Sequence, residues 1–274
     1  MNGKATSACV LSLKAWQLLD TMATRKNKTL PEVNFSDYGD TRYLHLGTPW
    51  VQGSMKIDKP FDIDLEYVQR MMAWLLFTNI EQVSQRHAMQ LGLGAAALTK
   101  FCHKHLRMHT TAIELNPQVV AACRLWFKLP ADSAKLQVVL GDAAEVAQHD
   151  HWRGQIDALQ VDLYDHEAAC PVLDSEDFYR DCRHLLTDDG CMTVNLFGRA
   201  SSYDESLKKI CAAFGEDAVW SFKPTREGNT IVLALRTPQH PKRGELMARA
   251  EAIQAKWPLP ATKWLRVFKA VQTR

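Results

Sequence analysis

Apolar runs of strand length alternate with helix-length segments along the middle of the chain. The first run leads into the turn at Gly92, and later runs occupy residues 110–115, 136–143 and 156–162. Such alternation is typical of βαβ units, in which helices connect neighbouring parallel strands by right-handed crossovers. The pattern therefore predicts an α/β protein built on a mainly parallel sheet.

The helical segments are marked by apolar residues that recur at spacings of three and four. The predicted helices are 64–78 (with Asp62 or Asp64 as its cap), 95–105, 117–127, 175–186, 203–214 and 244–256. Further strands are predicted at 191–197, near 218–222, and at 230–236. Only a short turn separates the last two strands, which predicts an antiparallel hairpin at the edge of the sheet. This ending is typical of the methyltransferase-like variant of the fold and not of the dinucleotide-binding one.

Composition narrows the class of protein. The 274 residues are 46% hydrophobic and carry a net charge of +2, which does not indicate bulk attraction to nucleic acid. The chain from His240 onward contains eight Lys or Arg and two Glu. The remainder of the chain is therefore mildly acidic, as would suit a cationic substrate. The seven cysteines form no Cys-x-x-Cys. With no visible signal peptide or membrane span, we expect a cytoplasmic protein with reduced thiols and no membrane partner.

A glycine turn and three acids indicate a nucleotide-type pocket. Gly92 and Gly94 let the backbone approach a ligand closely before a helix begins. Glu114 ends the second strand, about 20 residues downstream, where such folds place a carboxylate for ribose hydroxyls. Asp142 and Asp162 follow the third and fourth strands. Because ligands of open α/β sheets bind outside the carboxyl ends of the strands, we expect these side chains to converge there.

Asp162 and Asp165 are the candidates for proton chemistry. Two carboxylates three residues apart in a loop could hold a cationic amine, and one could accept its proton. Their closeness should raise the pKa of one of them. The alternative is a loop that ends in two solvated acids. Tyr67, on the first turn of a helix, could equally be an ordinary packing residue.

Other chemistries find less support. His103, His105 and His109 could suggest a metal, but they lie near a predicted helix C-terminus, where histidine is favoured electrostatically. His149 and His151 form a second pair without a matched third ligand. We therefore expect no metal. The chain has neither Gly-x-Ser-x-Gly nor a P-loop, so nucleophilic hydrolysis and ATP use are not indicated.

Seven short motifs follow one another between about Arg42 and Arg236. They are Leu46-Gly-Thr-Pro-Trp-Val-Gln52, Leu65-Glu-Tyr-Val68, Leu91-Gly-Leu-Gly-Ala95, Ile113-Glu-Leu-Asn116, Gly141-Asp-Ala143, Asp162-Leu-Tyr-Asp165 and Leu173-Asp-Ser-Glu-Asp-Phe-Tyr179. Their order and spacing resemble the spermidine synthases, or polyamine aminopropyltransferases. The resemblance implies a Rossmann-like S-adenosylmethionine methyltransferase fold, with a seven-stranded sheet and an antiparallel terminal hairpin, after a small N-terminal β-strand domain.

The resemblance also implies a reaction and a role for each residue. An aminopropyl group would pass from decarboxylated S-adenosylmethionine to an amine such as putrescine, releasing methylthioadenosine. Gly92, Gly94, Glu114 (ribose), Asp142 (adenine) and Ala143 would bind the donor. Asp162 would orient the attacking amine and accept its proton, while Asp165, Tyr67 and Gln52 would position the polyamine. Members of the family are often oligomers, which implies a homodimer as one possibility.

Three positions depart from the family pattern. Ala95 stands where the family has the Asp that binds the donor's amine, Val68 where it has His, and His166 where it has Pro. Two alternatives therefore stay open: a methyltransferase that uses ordinary S-adenosylmethionine, and a nucleoside-binding protein with an eroded catalytic half. A nicotinamide-linked dehydrogenase is less favoured, because Asp142 and the terminal hairpin argue against it.

On these grounds we divide the chain into three parts. Residues 1–62 form a small N-terminal β-rich domain, with predicted strands at 33–35, 42–46 and 50–55. Residues 63–236 form the Rossmann-like domain, and 237–274 form a basic helical tail after a proline-bearing linker.

Overall fold

Three antiparallel strands begin the part of the chain that the structure describes. They are β1 (Val33–Tyr38), β2 (Thr41–Leu46) and β3 (Val51–Lys56), paired in the order β1-β2-β3. This computed structural model describes residues 30–164, 172–198 and 200–271. Alternate apolar side chains of the small sheet, among them Leu44 and Met55, pack with the residues of the glycine turn in one core cluster. The small antiparallel element expected from the sequence is therefore present.

An eight-stranded sheet forms the body of the protein. Its strands are β4 (His87–Leu91), β5 (His109–Glu114), β6 (Leu136–Leu140), β7 (Ile156–Val161), β8 (Leu186–Phe197), β9 (Val219–Phe222), β10 (Asn229–Leu235) and β11 (Phe268–Ala270). Their order is β11-β9-β10-β8-β7-β4-β5-β6. The pairs from β6 to β8 are parallel, and the other three are antiparallel. The mainly parallel sheet with an antiparallel β9–β10 hairpin is confirmed, with one strand more than the seven expected.

Helices cover the sheet. They are α1 (Glu66–Arg70), α2 (Ala97–Lys104), α3 (Pro117–Trp126), α4 (Ala143–Gln148), α5 (Glu176–Leu185), α6 (Ala200–Phe214), α7 (Arg243–Lys256) and α8 (Ala261–Trp264). Side-chain caps begin three of them: Asn116 for α3, Asp142 for α4 and Ser175 for α5 each accept a hydrogen bond from a backbone N–H of the first turn. No helix within the described ranges is long and apolar enough to cross a membrane.

The helix predicted over 64–78 differs from the observed one. Only Glu66–Arg70 is α-helical, and Met71–Phe77 continues as a 3₁₀ helix whose seven residues are all buried. The predicted caps are wrong: Asp64 accepts a hydrogen bond from Ser54 Oγ at 2.6 Å, and Asp62 pairs with His105. Packing on every side of an apolar segment leaves no amphipathic face, so tertiary contacts decide its geometry.

The C-terminal segment packs against the edge of the sheet. Strand β11 pairs with β9, and Phe268 stacks on Trp220 with ring centroids 5.4 Å apart. This strand was not predicted, since three residues carry too short a pattern to recognise. The domain boundaries at residues 62 and 236 stay predictions. The sequence also has an apolar patch at residues 10–19, which lies outside the described residues.

Candidate active site

The acids predicted from the sequence lie along one edge of the main sheet. In the parallel register Leu91 of β4 is level with Ile113 of β5 and Val161 of β7. Glu114 ends β5, and the next residues after β4 and β7 are Gly92 and Asp162. The backbone N–H of Gly141, just after β6, donates to the Glu114 carbonyl at 2.9 Å. Asp142 therefore follows at the same edge.

A cleft opens between this edge, strand β3 and helix α1. Its empty space is about 380 Å³ when the open solvent at its mouth is counted. Five of the predicted site residues line it: Gln52, Tyr67, Gly92, Gly94 and Asp162. Glu114, Asp142 and Ala143 lie further along the sheet edge and do not line this cleft. The structure thus brings one group of predicted residues together and places the other group beside it.

The glycine turn after β4 fits closely against the end of β7. Gly92 has φ of +91°, and a Cβ on it would lie 2.3 Å from the Asp162 carbonyl oxygen. The Asp162 N–H donates to the Leu91 carbonyl at 3.0 Å. Gly94 has φ of +50° and lies against the Gln52 carbonyl in the same way, at 3.1 Å from a Cβ. Only glycine satisfies both the backbone angle and the close approach at Gly92.

Glu114 is held by backbone donors. Its Oε2 accepts from the Leu93 N–H at 3.0 Å and its Oε1 from the Asn116 N–H at 2.8 Å. Burial raises the pKa of Glu114, and these backbone hydrogen bonds oppose that rise. Each carboxylate oxygen keeps further acceptor capacity, so Glu114 can still receive hydroxyl groups of a ligand.

Asp142 is fixed as a helix cap. Its Oδ1 accepts from the Ala144 N–H at 2.9 Å at the start of α4, and Ala143 beside it is buried. The first turn of α4 therefore keeps this carboxylate at the rim, beyond β6, with further acceptor capacity.

Asp162 lies among neutral hydrogen-bond donors. Tyr67 Oη donates to its Oδ2 at 3.3 Å, and Asn195 Nδ2 donates to its Oδ1 at 2.9 Å. Burial raises the pKa of Asp162 to about 6, although both hydrogen bonds favour its ionised form. Burial and the Asp162 carboxylate together raise the pKa of Tyr67 well above its ordinary value of 10. Tyr67 is therefore a stable donor, and Asp162 can gain or lose a proton near neutral pH.

Sequence reasoning missed Asn195. It is 4% exposed near the carboxyl end of β8, the strand beside β7. Asparagine is uncommon in strands, so an Asn in a buried apolar run at the functional edge was the available signal. Tyr164 was also missed. Its hydroxyl donates to the Asn195 carbonyl at 3.0 Å and accepts from the Phe197 N–H at 2.5 Å.

The wall of the cleft is apolar near Val68 and Ala95, two of the positions that depart from the family pattern. Val68, Ala95 and Leu98 line it, and both Val68 and Ala95 are buried. A Cβ on Gly53 of β3 would lie 2.8 Å from the Ala95 Cβ, so strand and turn touch at this point.

Two predictions remain to be located in the structure: the second acid, Asp165, and the histidines that could suggest a metal. Asp165 lies outside the described residues. Of the histidines considered as metal ligands, His105 bonds to Asp62 at 2.9 Å. Within the described ranges no group of three His, Cys, Asp or Glu could hold a metal ion, and the expected absence of a metal stays a prediction.

The strand order and the acidic carboxyl edge define a protein of methyltransferase-type α/β fold. A probable spermidine synthase from Corynebacterium glutamicum superposes with a TM-score of 0.66 at 17% identity, covering 88% of this chain and 91% of that one. Human methyltransferase-like protein 13, in complex with SAH, gives 0.63 at 22% identity over 77% and 96%. At sequence identities of 17% and 22% these superpositions show that the chain shares the fold of both proteins.

Sequence relatives give the family. A polyamine aminopropyltransferase from Neisseria meningitidis serogroup A is 33% identical over 242 residues, which cover 88% of this chain and 90% of the relative. No protein-family model matches the chain. The chain belongs to the polyamine aminopropyltransferase family.

Proposed function

We propose that the protein transfers the aminopropyl group of decarboxylated S-adenosylmethionine to an amine such as putrescine and releases methylthioadenosine. One observation carries the proposal beyond family membership. Asp162, a carboxylate with a raised pKa, lines the cleft beside the glycine turn, and its side-chain donors among the described residues, Tyr67 and Asn195, are both neutral. Such a group can accept a proton from an amine at neutral pH.

The reaction needs little beyond alignment and a proton acceptor. The amine nitrogen attacks the methylene carbon next to the sulfonium, so a C–N bond forms as the C–S bond breaks. The electron pair of the C–S bond goes to sulfur, which becomes a neutral thioether. The proton that nitrogen gives up passes to Asp162. Because the sulfonium is already activated, holding nitrogen and carbon in line is the main contribution expected of the protein.

The nucleoside half of the donor is assigned to the acids along the sheet edge. Glu114 would accept the ribose hydroxyls, and Asp142 with Ala143 would receive the adenine. Gly92 and Gly94 line the cleft, and their close fit against Asp162 and Gln52 would bring the backbone of the turn next to the donor. The rigid attachment of Glu114 and Asp142 to backbone N–H groups supports these roles, because a held acceptor loses little entropy on binding.

The charge of the cleft favours the decarboxylated donor. Among the described residues that line it, Asp162 is the ionised side chain and no Lys or Arg is present. A donor that carries a carboxylate would find no cation there, whereas a sulfonium with an ammonium would meet an acid. Tyr67 and Gln52 would position the amine beside Asp162. Asp165 stays a proposed second acid, and the cytoplasmic location and homodimer expected above stay predictions.

The test is a turnover assay with two donors. Purified protein with putrescine and decarboxylated S-adenosylmethionine should release methylthioadenosine, measured by liquid chromatography and mass spectrometry. Asp162→Asn should abolish release, while Asp150→Asn, which changes an exposed acid of the same type, should not. Methyl transfer from ordinary S-adenosylmethionine, with no methylthioadenosine from the decarboxylated donor, would overturn the proposal in favour of a methyltransferase.

A further inference from the structure

A polarised chain of side-chain amides runs behind Asp162. Asn229 Nδ2, at the start of β10, donates to Asn195 Oδ1 at 3.1 Å. Asn195 Nδ2 donates in turn to Asp162 Oδ1 at 2.9 Å. We propose that Asn195, oriented by Asn229, is the positioning residue that holds the Asp162 carboxylate toward the cleft. This inference rests on the function proposed above and extends it to two residues of the antiparallel half of the sheet.

The orientation of the Asn195 amide follows from its two partners. A carboxylate only accepts hydrogen bonds, so it needs the NH₂ end of an amide. The reversed amide would place an oxygen against the carboxylate. The ionised carboxylate therefore sets the orientation of the Asn195 amide, and Asn229 Nδ2 donates to the Asn195 oxygen that this orientation leaves on the far side. In this arrangement each of the three groups meets a complementary partner.

The backbone of Asn195 holds the same loop at a second point. Its carbonyl accepts from Tyr164 Oη at 3.0 Å, and the Tyr164 oxygen accepts from the Phe197 N–H. The end of β8 therefore holds both Asp162, through the Asn195 side chain, and Tyr164, through the main chain. Because both attachments come from the buried end of a strand, they restrict the rotation of Asp162 more than one exposed contact could.

Burial raises the pKa of Asp162, and the neutral donors around it oppose that rise. Tyr67 is the titratable group that contacts it from α1, while the glycine turn and β8 bring only uncharged groups to it within the described residues. A cation at position 195 would hold the pKa of Asp162 low and weaken it as a base. An amide favours the ionised form more mildly, so its loss should raise the pKa of Asp162 further.

The first experiment measures the titration of Asp162 and needs no turnover assay. Carboxyl-carbon NMR of aspartate-labelled protein, with the Asp162 resonance identified by its loss in Asp162→Asn, gives its titration directly. Removing a hydrogen bond to a charged group should raise the pKa of Asp162 by about 1–2 units in Asn195→Ala. Asn229→Ala should raise it less, in the same direction. Asn34→Ala, an exposed asparagine of β1, should leave it unchanged.

The second experiment uses the pH profile of transfer. With the pKa of Asp162 raised by 1–2 units from about 6, the Asn195→Ala rate should fall roughly two- to tenfold at pH 7 and recover above pH 8. A merely structural role would lower the rate equally at every pH. An unchanged Asp162 titration in Asn195→Ala, or in Asn229→Ala, would overturn the inference. A wild-type protein that makes no methylthioadenosine would refute the proposed function. The NMR titration would then decide by itself whether Asn195 and Asn229 hold Asp162.

Discussion

Gly92→Ala is the substitution for which the structure predicts the most specific damage. The new Cβ would lie 2.3 Å from the Asp162 carbonyl oxygen, whereas ordinary contacts begin near 3.4 Å. Something must therefore move by about 1 Å. The obstructing atom belongs to the backbone, so no side-chain rotation can relieve the overlap. A second cost arises from φ of +91°, which L residues rarely adopt.

The two costs can be separated by magnitude. The unfavourable backbone angle should cost about 1–2 kcal/mol, and the overlap a further ~1–3 kcal/mol. Gly154→Ala is the matched control, because Gly154 has φ of +66° with no atom within 4 Å of a Cβ. It should show the first cost without the second. A displacement of about 1 Å at the reacting groups should also lower the rate of Gly92→Ala by roughly a hundredfold.

Chemical denaturation and the methylthioadenosine assay measure these effects side by side. Gly92→Ala should lose more stability than Gly154→Ala and should lose nearly all activity, while folded Gly154→Ala should turn over as the wild type does. Equal stability and equal activity in the two variants would refute the packing of the turn against Asp162.

Three further predictions concern ionised groups. The value of kcat/KM should rise with pH through about 6, because Asp162 must be deprotonated to accept a proton; a profile flat from pH 5 to 8 would contradict this. Asp162→Asn should be more stable than the wild type at pH 7. The folded-state pKa of Asp162 lies above the ordinary 3.8, so the wild type loses up to ~3 kcal/mol of stability as pH rises from about 4 to about 6. Urea titrations of both proteins at pH 4 and pH 7 check the sign. The same difference in unfolding free energy between variant and wild type at both pH values would argue against it. Glu114→Gln should weaken methylthioadenosine binding roughly ten- to a hundredfold in calorimetry, and an unchanged Kd would remove Glu114 from the site.

The sequence predicted the sheet edge because that edge depends on local patterns. Apolar runs show where strands lie, and an acid after a run marks its carboxyl end. Right-handed crossovers then bring Glu114, Asp142 and Asp162 to one side. Gly92 was recognisable for the same reason, since a glycine between a strand and a helix is a local signal.

What the sequence did not predict depends on contacts between distant residues. Asn195 and Asn229 become neighbours only through the antiparallel pairing of β8 with β10. Asp64 was expected to cap a helix but instead meets Ser54 of the small sheet. Strand β11 exists because it pairs with β9, and its three residues alone would not indicate it.

A crystal structure with methylthioadenosine tests the central claim most directly. The account predicts ribose hydroxyls on Glu114, adenine beside Asp142 and Ala143, and the methylthio group pointing into the cleft toward Asp162. Nucleoside density anywhere other than this sheet edge, or the methylthio group turned away from Asp162, would contradict it.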